Sequence, residues 1–181
     1  MTTIQTTRED HLVAWFTALA ITIHIAESAL PSPLPGVKPG LANVVTLMVL
    51  CRYGWRMAVW VSLLRVLVGS VLIGTFLSPT FFLSAAGALT SVAVLGLADA
   101  LSRALPRWAV GPVGFGVLAA LAHMTGQFWT AYVLFIPHSA LLHLLPLLMS
   151  IAAALGVVSG ILTRTVLARL DINPVEPRLP Q

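Results

Sequence analysis

The chain has 181 residues, 58% of them hydrophobic and 9% charged, with a net charge of +4, a mean hydropathy of +0.95 and one cysteine. A soluble domain carries about 25% charged residues, and a chain this short has too little charge to coat a water-facing surface, so lipid must solvate most of it. Cys51 alone excludes an internal disulfide or a multi-cysteine metal site, and the arginines sit at the ends of apolar runs, which assigns the basic balance to membrane topology and not to nucleic acid.

A membrane span needs ~20 apolar residues at ~1.5 Å rise each. Residues 1–10 form a tail in which Arg8, Glu9 and Asp10 nearly cancel. The first span is expected over His11–Leu30 and reads as a span, not as a removable targeting signal. It carries Glu27 near its outer end, where an interfacial position is the plain alternative to a site. Ala14 and Ala18 on the same helix have small-xxx-small spacing, which suits either internal packing or a partner interface.

Next comes "ESALPSPLPGVKPGLAN", Glu27 to Asn43, which holds the only lysine, Lys38. Pro31, Pro33, Pro35 and Pro39 fix φ and keep the preceding residues extended, while Gly36 and Gly40 permit tight turns. That predicts a semi-rigid strap presenting Lys38, either to a ligand or, as a stiff connector, to lipid headgroups. The apolar run Pro39–Cys51 is short for a span. It is expected to cross buried among other helices, met by irregular backbone that protein or a watery cavity satisfies. Asn43 either caps this helix or reaches a ligand.

Four further spans are expected over Trp55–Phe76, Thr80–Leu105, Pro112–Ile136 and Ser139–Leu167. The breaks "SPT", "LPRW", "GPVG" and "IPHS" supply helix stops and starts. Arg65 lies midway along the third span. A central arginine costs roughly 2.5–3.5 kcal/mol on insertion scales, so it must face the bundle interior, paired with Glu27 or holding an anion. Asp99 and Arg103 are spaced for a local ion pair, and His123 and Gln127, four apart, share one helical face. That face is either a packed, hydrogen-bonded stripe or part of a site. Pro146 implies a kink or a late helix start, and Gly156 and Gly160 form GxxxG.

Arg52 and Arg56, Arg103 and Arg107, and Arg164 and Arg169 fall at alternate breaks, and the intervening "GTFLSPT" and "FIPHS" carry no basic residue. The positive-inside rule then puts the arginine ends in the cytoplasm. The expected division is a cytoplasmic N-terminal tail (1–10), a transmembrane helical domain (11–170) and a cytoplasmic C-terminal tail (171–181). If Pro39–Cys51 crosses, as expected, both termini are cytoplasmic and Lys38 is outside; if it does not, the N-terminus turns outward, and in either case a multi-pass protein of the inner (cytoplasmic) membrane is expected.

Absences narrow the chemistry. Lys38 lacks the glycine pattern of a P-loop, and no H-E-x-x-H, G-x-S-x-G or cysteine pair occurs. Asp10, Asp99 and Asp171 are far apart, so no aspartate-rich cluster holds magnesium on a diphosphate. No catalytic residue, metal or cofactor is expected, and binding is the simpler use of the polar residues.

The stretches "ESALPSPLPGVKPGLANVVTL", "SLLRVLVGSVLIGTFLSPTFFLSAAGAL" and "AHMTGQ" resemble the Gx transporter family, also known as heptaprenyl diphosphate synthase component I. The resemblance runs from about Ala26 to Gly160, and its most specific part is the Pro-x-Pro-Gly-x-Lys-x-Gly-Leu-Ala-Asn segment. It implies that Glu27, Pro35, Gly36, Lys38, Gly40, Asn43, Arg65, Gly74, Thr75, Ser84, His123, Gly126 and Gln127 occupy motif positions. Members more often read His-Asn where this chain has His123–Met124. The family is similar to the S-components of energy-coupling factor (ECF) transporters, which implies a bundle of about six helices that binds a small nutrient from outside.

The expected protein is therefore an all-α integral membrane bundle with a Pro/Gly-rich extracellular loop after helix 1. It would bind an anionic metabolite through Glu27, Lys38, Asn43, Arg65, His123 and Gln127 as part of an uptake transporter. Expected partners are the ligand, the bilayer and ECF-type transmembrane and ATPase subunits. Two alternatives stand beside this. One is a non-catalytic membrane component of a prenyl diphosphate synthase; the other is a membrane accessory for flavin- or quinone-linked electron transfer.

Overall fold

The computed structural model describes residues 7–29 and 41–169, and these form six α-helices and one short 3-10 turn. The helices are α1 (Arg8–Ala29), α2 (Leu41–Tyr53), α3 (Trp55–Ile73), α4 (Pro79–Ala104), α5 (Pro112–Leu134) and α6 (Ser139–Arg169). Each coincides with an expected span to within a few residues. The turn Pro106–Trp108 lies between α4 and α5.

Local chemistry sets the helix ends. At α1 the Thr7 N–H and hydroxyl donate to the Asp10 carboxylate at 2.7 and 2.8 Å, and the Asp10 N–H returns to the Thr7 hydroxyl at 3.3 Å. This reciprocal cap satisfies donors that the first turn leaves open, and the Thr7 bonds hold the Asp10 carboxyl below its ordinary pKa. α3 ends at Gly74 in the left-handed region (φ 75°), where the Thr75 N–H reaches the Ser70 carbonyl at 2.8 Å. α4 starts with Ser78 as cap and Pro79 in its first turn. Pro146 lies inside α6, which runs through it as one 31-residue helix, so the expected late start does not occur.

α2 is the central helix. It packs against α1, α3, α5 and α6, and Val45, Leu47, Val49 and Leu50 are buried. At ~1.5 Å per residue its 13 residues span only ~20 Å, short of the ~30 Å hydrocarbon core. The surrounding helices account for a short helix at the bundle centre. Gly54 (φ 92°) alone separates α2 from α3, and this break lies beside the α4 end: a Cβ on Gly54 would lie 4.0 Å from Arg103 Nη2. Phe16 stacks on Tyr53 with ring centroids 5.5 Å apart, which brings the start of α1 to the same end. Among the described residues every arginine but Arg65 thus gathers at one end of the bundle.

Small residues let the helices approach. A Cβ on Gly160 would lie 2.8 Å from the Pro112 carbonyl oxygen, and one on Gly156 would lie 2.8 Å from that of Gly116. The GxxxG of α6 is therefore the seam with α5. The α4–α5 seam closes on Gly126, against which Thr90 packs, and the Thr90 hydroxyl lies 2.8 Å from the Ala122 carbonyl oxygen it bonds across the seam. At the arginine end the Trp55 indole N–H donates to the Val92 carbonyl at 2.7 Å, joining α3 to α4. Asp99 and Arg103 form the expected i, i+4 ion pair.

The polarity is that of a membrane protein. Large apolar residues face outward, including Trp15 (77% exposed) and Leu97 (72%), while Thr17, Glu27, Ser62, Arg65 and Ser91 are buried. Three helices, α3, α4 and α6, are long and apolar enough to cross a membrane on length and composition alone. α1 and α5 are of comparable length, but they carry the inward-facing polar residues His24, Glu27, His123 and Gln127.

Candidate functional site

The half of the bundle away from the arginine end encloses a cavity of about 350 Å³. Its walls come from the last turns of α1 and α3, the first turns of α2 and α4, the second half of α5 and the first two-thirds of α6. Sites for small molecules run ~300–1,000 Å³, so the cavity is large enough for a small metabolite.

Five of the six residues expected to bind ligand line this one cavity: Glu27, Asn43, Arg65, His123 and Gln127. They come from four helices, and no two of them are adjacent in sequence. The sixth, Lys38, lies outside the described residues, as does the rest of its strap. Ala14 and Ala18 are exposed on α1, on a different side from the buried Thr17, Ala20 and Glu27, and take no part in the cavity.

The floor is electrostatically organised around Arg65. Its side chain is 7% exposed and its Nε has no hydrogen-bond partner. Glu27, His24 and His123 line the same cavity as Arg65. Beneath the cavity a narrow crevice continues between Asn43, Thr46, Ser62, Arg65, Ser91 and His123. Four buried side-chain polar atoms among the described residues lack a partner, and three of them, on Thr46, Arg65 and His123, belong to this crevice. Buried polar atoms are ordinarily satisfied, and each unmet one costs about 1–3 kcal/mol. All three residues border the crevice, which is too narrow to admit a water molecule.

Gly87 makes this arrangement possible. A Cβ there would lie 2.8 Å from Cε1 and Nε2 of His123 and 2.9 Å from Cγ of Gln127. The bare backbone of α4 is thus the wall against which both α5 side chains lie.

Sequence reasoning missed His24, Thr46, Ser62, Gly87 and Ser91. A usable signal existed for three of them, because polar residues recur at helical spacing from expected site residues. His24 precedes Glu27 by three, Thr46 follows Asn43 by three, and Ser62 precedes Arg65 by three. Gly87 carried no such signal, since a glycine in an apolar helix has many packing uses.

The site is a polar floor in a membrane bundle, with apolar walls from Leu83, Met124, Leu141 and Leu148. Such a chamber can hold and orient a small molecule. No curated protein and no solved structure matches the chain. From α1 to near the end of α6, over residues 16–166, the chain matches the family model described as heptaprenyl diphosphate synthase component I, and it belongs to that family.

Proposed function

We propose that this chain is the membrane-embedded substrate-binding subunit of a small-molecule uptake transporter, similar to an S-component and built to take an anionic metabolite. The observation that carries the reading is Arg65, buried at mid-bundle on the floor of a cavity with its Nε unpartnered. A buried guanidinium is costly in lipid, and intramembrane charges mark ligand pathways. Its planar fork suits a carboxylate or phosphate. The positive-inside rule turns the arginine end to the cytoplasm and the cavity end outward, toward the Lys38 strap. Energy would come from ECF-type transmembrane and ATPase partners, or from an ion gradient.

A second reading follows from the description of the family: a non-catalytic membrane component of a prenyl diphosphate synthase. The leucine-rich cavity wall favours it, since a prenyl chain needs an apolar channel.

Native mass spectrometry of the purified protein tests the first reading. Wild type should carry a small bound anion that is absent from Arg65→Gln. Affinity purification from native membranes separates the readings, by recovery of an ATPase pair or of a synthase subunit with an acidic metal-binding cluster. An empty wild-type protein that binds no anion would end the first reading.

A further inference from the structure

We infer that the ligand is an amphiphile, with one compact anionic head on Arg65 and His123 and an apolar body against the cavity wall that α4, α5 and α6 share; this rests on the anion-binding reading above. Two features of the cavity carry the inference.

The first is the charge available at the floor. Among the described lining residues Arg65 is the sole lysine or arginine. Apart from Glu27 and the imidazoles of His24 and His123, the remaining polar side chains, such as Asn43, Ser84 and Gln127, are uncharged hydrogen-bonding groups. A single guanidinium balances one negative charge. A diphosphate would leave two or more charges in a low-dielectric interior, where they are severely penalised.

The second is the wall opposite the floor. Leu83 of α4, Met124 and Phe128 of α5, and Leu141, Leu148 and Leu155 of α6 line the same cavity. α4 and α6 both contribute, yet among the described residues they make no close backbone approach to each other. α5 packs against both, and side chains of α4, α5 and α6 line the cavity together. α6 packs through its second half, where Ala152, Gly156, Ser159 and Gly160 are buried, while residues 139–150 contribute no buried side chain. The chamber is therefore polar at depth and apolar along its flank. A compact inorganic anion would leave that apolar surface uncovered, whereas a molecule with a hydrocarbon body covers it and gains the burial.

Thermal unfolding of the full chain in lipid nanodiscs tests this with four probes: octanoate, acetate, octanol and geranyl diphosphate. Octanoate should raise the unfolding midpoint, with acetate and octanol ineffective at equal concentration. Arg65→Gln should abolish the octanoate shift. Met124→Asn, which makes the wall beside His123 polar, should weaken octanoate about tenfold, read as a smaller octanoate shift relative to the variant's own ligand-free midpoint. Hexadecanoate doped into the disc lipid tests a membrane-borne source, against octanoate for a soluble one, and a response to either supports the amphiphile. If acetate protects as well as octanoate, in an Arg65-dependent way, the apolar body is wrong and the anion reading stands. If octanol protects wild type and Arg65→Gln alike, the anionic head is wrong and the anion reading falls with it. A larger shift from geranyl diphosphate than from octanoate overturns the single-charge head.

Discussion

Gly87 on α4 and His123 on α5 meet face to face, so that a Cβ on the glycine would stand 2.8 Å from two atoms of the imidazole. Gln127, one turn along, lies equally close at 2.9 Å. A methyl group there must displace both side chains, because the opposing element is the α4 backbone. Overpacking of this kind costs typically ~1–3 kcal/mol. Gly87→Ala should therefore leave a folded, membrane-inserted protein whose ligand affinity falls by at least about tenfold. Wild-type affinity in the alanine variant, measured by ligand-induced thermal shift, would show that His123 and Gln127 are packing residues only.

Arg65 allows a sharper separation of stability from binding. Removing one partner of a buried ion pair strands the other charge at about 3–5 kcal/mol, whereas a guanidinium that serves a ligand can be replaced without that cost. On the anion-binding reading, Arg65→Gln should thus leave the midpoint of the ligand-free protein nearly unchanged. Hydrogen bonds to charged groups contribute about 1.5–3 kcal/mol, so anion affinity should fall roughly 10- to 150-fold. Arg65→Lys should restore little of it, since an ammonium lacks the planar fork. A large drop in folded yield for Arg65→Gln would instead identify the residue as half of a structural pair.

The six helices were legible because proline and glycine punctuate the chain wherever a helix stops. The Ser78–Pro79 and Gly111–Pro112 pairs stand at the starts of α4 and α5, and Gly74 closes α3. That five of the residues expected to bind ligand line one cavity has a different reason: ionisable and amide groups are so rare in these spans that each needs an interior destination. What periodicity could not supply was depth and partnership. Pro146 allowed either a kink or a late helix start, and only the packed structure shows that α6 begins at Ser139 and continues through it. Thr46 and Ser62 look like ordinary helix residues until α2 and α3 are packed together, and only then do they border the same crevice as Arg65.

Orientation is open to direct chemistry. Ser139 and Ala104 are exposed at opposite ends of the bundle, and Cys51 can be removed as Cys51→Ala. In that background, Ser139→Cys should react with an impermeant thiol reagent on intact cells, and Ala104→Cys only after permeabilisation. Ser32→Cys, in the strap outside the described residues, should behave like Ser139→Cys. The reverse pattern would place the cavity mouth on the cytoplasmic side and remove the case for uptake from outside.

The strap itself is tested through Lys38. If its ammonium adds to the field at the cavity mouth, Lys38→Met should weaken anion binding and leave the ligand-free midpoint unchanged. If Gly36 serves the expected turn, Gly36→Ala should slow both association and release. Binding rates equal to wild type in both variants would make the strap a connector, with the helices alone holding the ligand.

The last prediction contrasts two stripes of small residues that look alike in sequence. On α6, Gly156 and Gly160 face backbone: their added Cβ atoms would press on the Gly116 and Pro112 carbonyl oxygens at 2.8 Å. Backbone cannot rotate aside, so Gly156→Leu or Gly160→Leu must push α5 and α6 apart. That separation would open the longest helix seam and with it the cavity wall, so both variants should lose folded yield and ligand-induced stabilisation together. On α1, Ala14 and Ala18 are exposed, beside the outward-facing Trp15 and Leu19. Ala14→Leu and Ala18→Leu add methyl groups to a surface already solvated by lipid, and the ligand-free midpoint should stay at the wild-type value. If this face docks an energising subunit, as S-component-like assembly would require, the two leucines should abolish co-purification of that subunit while ligand binding is retained. Loss of the fold in Ala14→Leu would mean that the α1 face is buried in the native assembly even without a partner chain. Full assembly in the double leucine variant would remove Ala14 and Ala18 from the interface.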